Sequence, residues 1–144
     1  MKYQYFGLFL SEKDRNALLR VIIDNPIVSN LVFQRGSTLY LDHCTLLHSS
    51  QGDEEVFEAL REYIRRGPFE MHRMTIDGIG FSDKAIAFRV TIGNPQLPCA
   101  NANPHITVCT IKGGKPVDSN SIVTWIPIAG FDVSGQLKMV RYVE

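Results

Sequence analysis

The sequence is organised around Leu39–His48, LYLDHCTLLH, in which a histidine and a threonine stand two residues apart within an apolar run. A second stretch, Pro104–Ile111, PHITVCTI, repeats this arrangement. Successive side chains of a β-strand point to opposite faces, so residues i and i+2 share a face. Each stretch therefore predicts a strand that presents one imidazole and one hydroxyl on one surface, with apolar neighbours packed behind the sheet.

The candidate catalytic residues are His43 with Thr45 and His105 with Thr107. An imidazole titrates near neutral pH, so one can accept a proton while a second, on the other side of the same reacting atom, donates one. A threonine hydroxyl can donate a hydrogen bond to a phosphate oxygen on which negative charge develops. Two such pairs suit in-line attack on a phosphodiester and require no metal ion. We assign His105 as the base and His43 as the acid.

His48 lies five residues beyond His43, so strand parity predicts that the two rings face opposite sides of the sheet. We therefore interpret His48 as a structural or supporting residue. The same parity argues against a zinc ion shared by the two histidines, and no ligand-spaced cysteine or carboxylate joins them. The chain also lacks the Gly-x-Ser-x-Gly motif of many serine hydrolases. We expect neither a metal nor a cofactor.

Length and composition favour a single domain over residues 1–144. Hydrophobic residues make up 44% of the chain and charged residues 21%, which suits one globular core. The 15 basic residues equal the 15 acidic ones, so no net charge attracts a long polyanion. A small substrate or a strand terminus therefore fits better than an extended duplex.

The chain has no feature that predicts export or a membrane position. No apolar run approaches the length of a membrane span, and Met1 leads into a mixed polar strand rather than a signal peptide. The three cysteines have no metal-ligand spacing and are odd in number, which favours reduced thiols. We expect a cytoplasmic or nuclear protein.

Hydrophobic periodicity predicts the other elements, in the order strand, helix, motif strand, helix, two strands, motif strand, two strands. One helix should begin after Ser11 and end at Asn25, and the other should lie between Asp53 and Gly67. The expected hairpins are 69–80 with 85–92, and 123–131 with 137–143. Small residues on one face of the strand at 85–92 leave room for something to lie against that face.

The motifs resemble those of the 2H phosphoesterases, a superfamily named for two H-x-T/S motifs on symmetry-related strands that flank a cleft. The resemblance is closer to one branch, the cyclic phosphodiesterase domain of plant and fungal tRNA ligases. There the first motif reads like HxTLxH, as in His43–His48. The second reads like HITxxT followed by a glycine turn and KPxxSN, as in His105–Thr110 and Lys115–Asn120.

This resemblance implies an α+β, two-lobed 2H phosphoesterase fold, in which antiparallel sheets line a central cleft and helices lie outside. It also implies hydrolysis of a 2′,3′-cyclic phosphate, on an RNA end or a nucleotide, to a 2′-phosphate with a free 3′-hydroxyl. The tRNA ligases carry this domain fused to kinase and ligase modules. The expected partners here are a nucleotide or RNA terminus bearing a cyclic phosphate, and separate RNA kinase and ligase proteins.

Further residues are candidates for substrate binding. Arg89 could meet a phosphate from the small-residue face of its strand, while Lys115 and Ser119 match the KPxxSN pattern. Each also has a structural interpretation, as a surface arginine or as ordinary helix-start residues. The aromatic candidates for stacking on a base, all of which could instead pack in the core, are Tyr5, Phe33, Tyr40 and Trp125.

Three classes of function remain open at this point. The first is the 2′,3′-cyclic nucleotide phosphodiesterase. The second is another 2H activity, such as cleavage of 2′,5′-oligoadenylate, of ADP-ribose cyclic phosphate or of a cyclic-nucleotide signal. The third is a non-catalytic RNA- or nucleotide-binding module, against which the intact His-Thr pairs count. Assays of these substrates side by side would separate the classes.

Overall fold

The computed structural model describes residues 3–142, except for the side chains of residues 35–37. The two short 3₁₀ helices are Ser49–Gln51 and Pro116–Ser121. The longer helices are α1 (Glu12–Asp24), α2 (Pro26–Arg35) and α3 (Glu54–Arg66). The strands are β1 (Tyr3–Leu10), β2 (Gly36–Leu39), β3 (His43–His48), β4 (Met71–Phe81), β5 (Ala85–Ile92), β6 (His105–Ile111) and β7 (Trp125–Arg141).

The seven strands form one antiparallel sheet in the order β2-β6-β3-β1-β7-β4-β5, and an additional pairing of β5 with β6 links its two sides. The expected α+β class with antiparallel strands is therefore confirmed. β2 and the beginning of β3 both pair with β6, and β3 then pairs along its length with β1. This course makes the two motif strands neighbours, joined at the pair Cys44 and Ile106.

The helices begin where the sequence predicts. The Ser11 side chain accepts a hydrogen bond from an amide of the first turn of α1, and Asp53 does the same for α3. Leu18 and Leu60 are fully buried on the inner faces of these helices. Burial of such a side chain stabilises the fold by about 1.5–3 kcal/mol. No helix within residues 3–142 is both long and apolar enough to cross a membrane.

The expected C-terminal hairpin is wrong, because Trp125–Arg141 forms the single 17-residue strand β7. Its first part pairs with β4 and its last part pairs with β1. Gly135 lies where the turn was expected, but a Cβ there would come within 2.9 Å of Leu8 on β1. This glycine therefore permits close approach of two strands rather than a turn. Val143, the last residue of the expected hairpin, lies outside the described residues.

The pairing of β3 with β1 shifts register by one residue midway along β1. The additional residue lies on β3, where Leu46 and Leu47 are both fully buried, and it forms a β-bulge. Side-chain alternation resumes beyond the bulge with the opposite parity. His48 therefore returns to the face that carries His43, and the expectation that it points away is wrong for this reason.

Candidate active site

Both His-x-Thr pairs line one cavity of about 430 Å³. β3 contributes His43 and Thr45, and β6 contributes His105 and Thr107. The wall also includes residues from β1, the Tyr40–Asp42 connection, the 3₁₀ helix after β3, and the segment that follows β6. Two motifs that are far apart in the sequence therefore face a common space.

His43 is hydrogen-bonded at both ring nitrogens. Its Nδ1 lies 2.9 Å from Asp42 Oδ1, and its Nε2 lies 3.0 Å from Thr45 Oγ1. A carboxylate only accepts, so the Nδ1 atom of His43 carries a proton and donates it to Asp42. This hydrogen bond, opposed by partial burial, lowers the pKa of the Asp42 carboxyl below its usual value. Asp42 is therefore ionised at neutral pH.

Aromatic residues of β1 pack against the His43 ring. The rings of Tyr5 and Phe9 each lie 4.9 Å from it, at interplanar angles of 22°. Between them, a Cβ on Gly7 would come within 3.2 Å of His43 Cδ2. The Lys138 ammonium group on the adjacent strand lies 5.8 Å from the centre of the Phe9 ring. The orientation of the His43 imidazole is therefore fixed by packing in addition to hydrogen bonding.

His105 occupies a different environment. Its residue surface is only 6% exposed, and its Nδ1 donates to the backbone oxygen of Asn103 at 2.8 Å. Because a carbonyl only accepts, the proton of the neutral ring lies on Nδ1 and the Nε2 atom carries a lone pair. Burial lowers the pKa of His105; the Asn103 hydrogen bond opposes this shift, and the charge of His43 adds to it. The neutral form is therefore favoured at neutral pH.

Thr107 is supported from the segment that follows β6. Its Oγ1 lies 3.1 Å from Oγ of Ser119, which is 1% exposed. The chain turns after β6 at Gly113, whose φ of +83° falls in the left-handed region that glycine tolerates. The Lys115 amide then donates to Asp118 Oδ2 at 2.8 Å at the start of the 3₁₀ helix that contains Ser119. This helix therefore orients the Thr107 hydroxyl.

His48 also lines the cavity. Its Nδ1 accepts the Ser50 amide hydrogen at 3.1 Å, which leaves the ring proton on Nε2. The ring lies nearly parallel to that of Tyr5, at 7° and 6.5 Å between centroids. His48 therefore belongs to the same row of rings as Tyr5 and His43.

Four of the seven candidate substrate-binding residues belong to this site. Tyr5, Tyr40 and Lys115 line the cavity. Ser119 reaches it through its hydrogen bond to Thr107. The other three, Phe33, Arg89 and Trp125, are not part of the lining.

Arg89 and Trp125 lie behind the second motif strand. The Arg89 guanidinium donates to Asp77 Oδ1 at 3.1 Å. The Trp125 ring lies 6.3 Å from the His105 ring, and it covers Gly80 so closely that a Cβ there would overlap it. Trp125 therefore packs over β4 next to the small-residue strand, since Gly80 pairs with Ala87 of that strand.

Asp42 is a site residue that the sequence analysis missed. An acidic residue directly before the motif histidine was a signal, but strict alternation would place adjacent side chains on opposite faces. Alternation does not apply here, because Asp42 lies in a bend before β3 begins at His43 and directly after Leu41, whose φ is +56°. Residues 3–142 contain no cluster of three histidine, cysteine, aspartate or glutamate side chains suited to hold a metal ion.

A larger groove of about 700 Å³ lies between α3 and β7. Its wall includes Arg61, Glu62 and Lys138, but neither His-x-Thr pair. The groove mixes both signs of charge and offers no imidazole. The smaller cavity is therefore the candidate active site.

Comparison with known proteins identifies the family. A solved structure described as "Crystal Structure of Fungal RNA Kinase" matches 99% of this chain with a TM-score of 0.64 and 14% identity, which indicates a shared fold. This chain spans 46% of that longer chain. No curated protein sequence matches significantly. The family described as "Fungal tRNA ligase phosphodiesterase domain" matches residues 2–136, which confirms the resemblance carried by the motifs. With nearly its whole length matched, the chain belongs to the fungal tRNA ligase phosphodiesterase domain family.

Proposed function

We propose that this protein is a metal-independent 2′,3′-cyclic nucleotide phosphodiesterase, which opens the cyclic phosphate to a 2′-phosphate and a free 3′-hydroxyl. One observation carries the proposal. His43 and His105 line one cavity but have different hydrogen-bond partners. His43 is hydrogen-bonded to a carboxylate, whereas His105 is hydrogen-bonded to a backbone carbonyl. Membership of a phosphodiesterase family supports the same reaction class.

In this proposal, His105 is the general base. Its Nδ1 proton is engaged by Asn103, so the Nε2 lone pair is the acceptor that remains for a water molecule. Burial lowers the pKa of His105, which keeps the ring in the neutral form that a base requires. The ring takes a proton from the water whose oxygen forms the new bond to phosphorus.

His43 is the general acid. The bond between phosphorus and O3′ breaks opposite the entering water oxygen, and the Nε2 proton of His43 passes to O3′. One water molecule is consumed for each cyclic phosphate opened. The proton gained by His105 and the one lost by His43 are then exchanged with solvent, which restores the starting state. Each histidine is expected to contribute about 10²- to 10⁴-fold to the rate.

Thr45 and Thr107 stabilise the phosphorane-like transition state by donating hydrogen bonds to its non-bridging oxygens. Ser119 can donate to Thr107 Oγ1, which leaves the Thr107 hydrogen for the phosphate. Lys115, in the same wall, adds a positive charge that favours an anionic substrate.

The proposal treats residues 1–144 as one two-lobed 2H domain with the cavity between its lobes. The substrate is a nucleotide or an RNA terminus that bears a cyclic phosphate, and separate RNA kinase and ligase proteins would carry out the other steps. The three cysteines form no disulfide. Reduced thiols suit a cytoplasmic or nuclear location.

The test is incubation of the purified protein with 2′,3′-cyclic, 3′,5′-cyclic and 2′,5′-linked nucleotides in EDTA, with the position of the product phosphate read by ³¹P NMR. We expect rapid opening of the 2′,3′-cyclic substrates to 2′-phosphates. Preferential cleavage of a 2′,5′ linkage or of a 3′,5′-cyclic ring would assign another 2H activity. Tight product binding without turnover of any substrate would indicate a binding module instead.

A further inference from the structure

A phosphate-binding cavity is an unfavourable place for a carboxylate, yet this one contains Asp42. Among the described residues of its wall, Asp42 is the only acidic side chain. Two negative charges close together near a protein surface repel each other more strongly than they would in bulk water. A residue that repels the expected ligand needs a compensating role, and its Oδ1 atom accepts from His43 Nδ1.

The backbone holds Asp42 in place by several contacts. Leu41 is fully buried although its φ of +56° lies in the left-handed region, which is strained for a side chain of this size. Its amide donates to Thr107 O at 3.0 Å, and the Leu10 amide donates to Asp42 O at 3.0 Å. The strained residue is thus anchored to both β6 and β1, and this anchoring directs the next side chain towards His43.

The first helix adds a further restraint. Nε and Nη2 of Arg15 donate to the backbone oxygen of Tyr40 at 3.2 and 3.0 Å. These two hydrogen bonds from the Arg15 guanidinium group hold the segment before Leu41 against α1. The Arg15 charge also helps to keep Asp42 ionised.

Every other charged or titratable group around His43 is neutral or a cation, and a cation disfavours a second positive charge nearby. Asp42 is the only described group beside the ring that favours its protonated form. The other groups are Tyr5 from β1, His48 from β3, His105 from β6, Lys115 from the cavity wall, Lys138 from β7, which contacts the Phe9 ring that packs on His43, and Arg15 from α1.

We propose that Asp42 is a positioning residue, which fixes the orientation of His43 and stabilises its imidazolium so that His43 enters the reaction as the proton donor. The inference rests on the proposed phosphodiesterase function. Asp42 touches no reacting atom and acts through His43. It remains a carboxylate throughout, in the way that the acidic member of a hydrolase triad holds its histidine.

The chain from Asp42 through His43 to Thr45 also explains how the acid is held before substrate binds. With His43 protonated, Nε2 donates to Thr45 Oγ1, and the Thr45 hydrogen is free to reach a phosphate oxygen. The departing O3′ then replaces Thr45 as the acceptor of the Nε2 proton. After the transfer, Nδ1 keeps its proton and its bond to Asp42.

The test is Asp42→Asn, which keeps the size of the side chain and an oxygen acceptor but removes the charge. We expect kcat for 2′,3′-cyclic nucleotide hydrolysis to fall by about 10- to 100-fold, less than in His43→Ala. KM should be unchanged or lower, because a repulsive charge is lost. The alkaline limb of the kcat profile should move to lower pH, because the variant loses the charge that favours a protonated imidazole.

Asp24→Asn, at the exposed end of α1, makes the same charge change away from the cavity and should alter none of these values. Asp42→Glu restores the charge at a displaced position, so it should recover the alkaline limb but only part of kcat. It also serves as the second variant if Asp42→Asn unfolds, as judged by circular dichroism. If Asp42→Asn keeps both the wild-type rate and the alkaline limb, the positioning role is overturned while the phosphodiesterase stands. Absence of turnover by the wild type would overturn both.

Discussion

The two motif strands present the same His-x-Thr pair in two unlike environments. On β3, His43 is partly exposed, packed against two aromatic rings and bonded to a carboxylate. On β6, His105 is buried and bonded to a carbonyl. A carboxylate favours a charged imidazole, whereas burial favours a neutral one. The contrast teaches that an identical motif does not fix the environment of its histidine, and in the proposed reaction it is this environment that assigns each ring its role.

The largest expected effects come from removing either ring. His43→Ala and His105→Ala should each lower kcat for a nucleoside 2′,3′-cyclic phosphate by about 10²- to 10⁴-fold. The two variants should differ on a 3′-deoxynucleoside 2′-(4-nitrophenyl phosphate), whose leaving group departs without a proton. There, His43→Ala should recover much of its rate and His105→Ala should not. The reverse pattern, read from nitrophenolate release, would exchange the two roles.

The next largest effects come from the hydroxyls. Thr45→Val and Thr107→Val remove a donor without changing shape, and each should lower kcat by about 10²- to 10³-fold. In Thr45→Val, the His43 ring also loses the partner of its Nε2 atom. Steady-state kinetics with the cyclic substrate measure both losses. Near-normal kcat in either variant would show that this threonine packs in its strand without contacting phosphate.

Burial of His105 makes a prediction about pH. A base must be deprotonated, and a lowered pKa keeps His105 deprotonated to more acidic pH. The acidic limb of kcat/KM should therefore lie below about pH 6.5, the ordinary value for histidine. A profile of kcat/KM from pH 4 to 9 in constant ionic strength measures this limb. An acidic limb above the ordinary histidine value would contradict the base assignment.

A smaller effect is expected behind the second motif. Ser119→Ala removes the hydrogen bond to Thr107, which is worth about 1 kcal/mol, or about 5-fold in kcat. The loss should disappear in a Thr107→Val background, because the two residues act through one contact. A double-mutant cycle of kcat measures this coupling. Fully additive losses from the two substitutions would contradict the orienting role of Ser119.

The smallest effect is expected at Gly7, beside the first motif. A Cβ there would lie 3.2 Å from His43 Cδ2 and from Cys44 O, so the ring must shift by a few tenths of an ångström. Gly7→Ala should lower kcat by roughly 2- to 3-fold with little change in KM. Gly130→Ala is a matched control, since its nearest neighbours lie 3.6 Å away. Equal kinetics for these two variants would mean that β1 does not position the ring.

Alternation along a strand predicted the two His-Thr pairs because it is a local property of the backbone. His43 and Thr45 do share a face, and their side chains meet. Alternation does not hold in the bend between Leu41 and His43 or at the bulge around Leu46, where the backbone departs from regular strand geometry. Asp42 and His48 follow those two points, so their places in the cavity could not be read from spacing.

The C-terminal strand illustrates a second limit. Two apolar stretches separated by a glycine-containing segment are as compatible with a hairpin as with one long strand shared by two partners. The choice between them depends on which strands flank β7, and that information is distributed over the whole chain. The helix boundaries at Ser11 and Asp53 were predictable, because each depends on hydrogen bonds within four residues.

The bulge in β3 compensates for the odd spacing between the two histidines of the first motif. In a variant lacking Leu46, the second histidine would lie four residues beyond His43 with no bulge between them, so regular pleating would still turn its ring towards the cavity. In a strand that kept Leu46 but had no bulge, that ring would instead turn into the hydrocarbon interior, where a polar ring without a partner is destabilising. Relatives with one residue fewer between their threonine and second histidine would therefore be expected to pair β3 with β1 without a register shift.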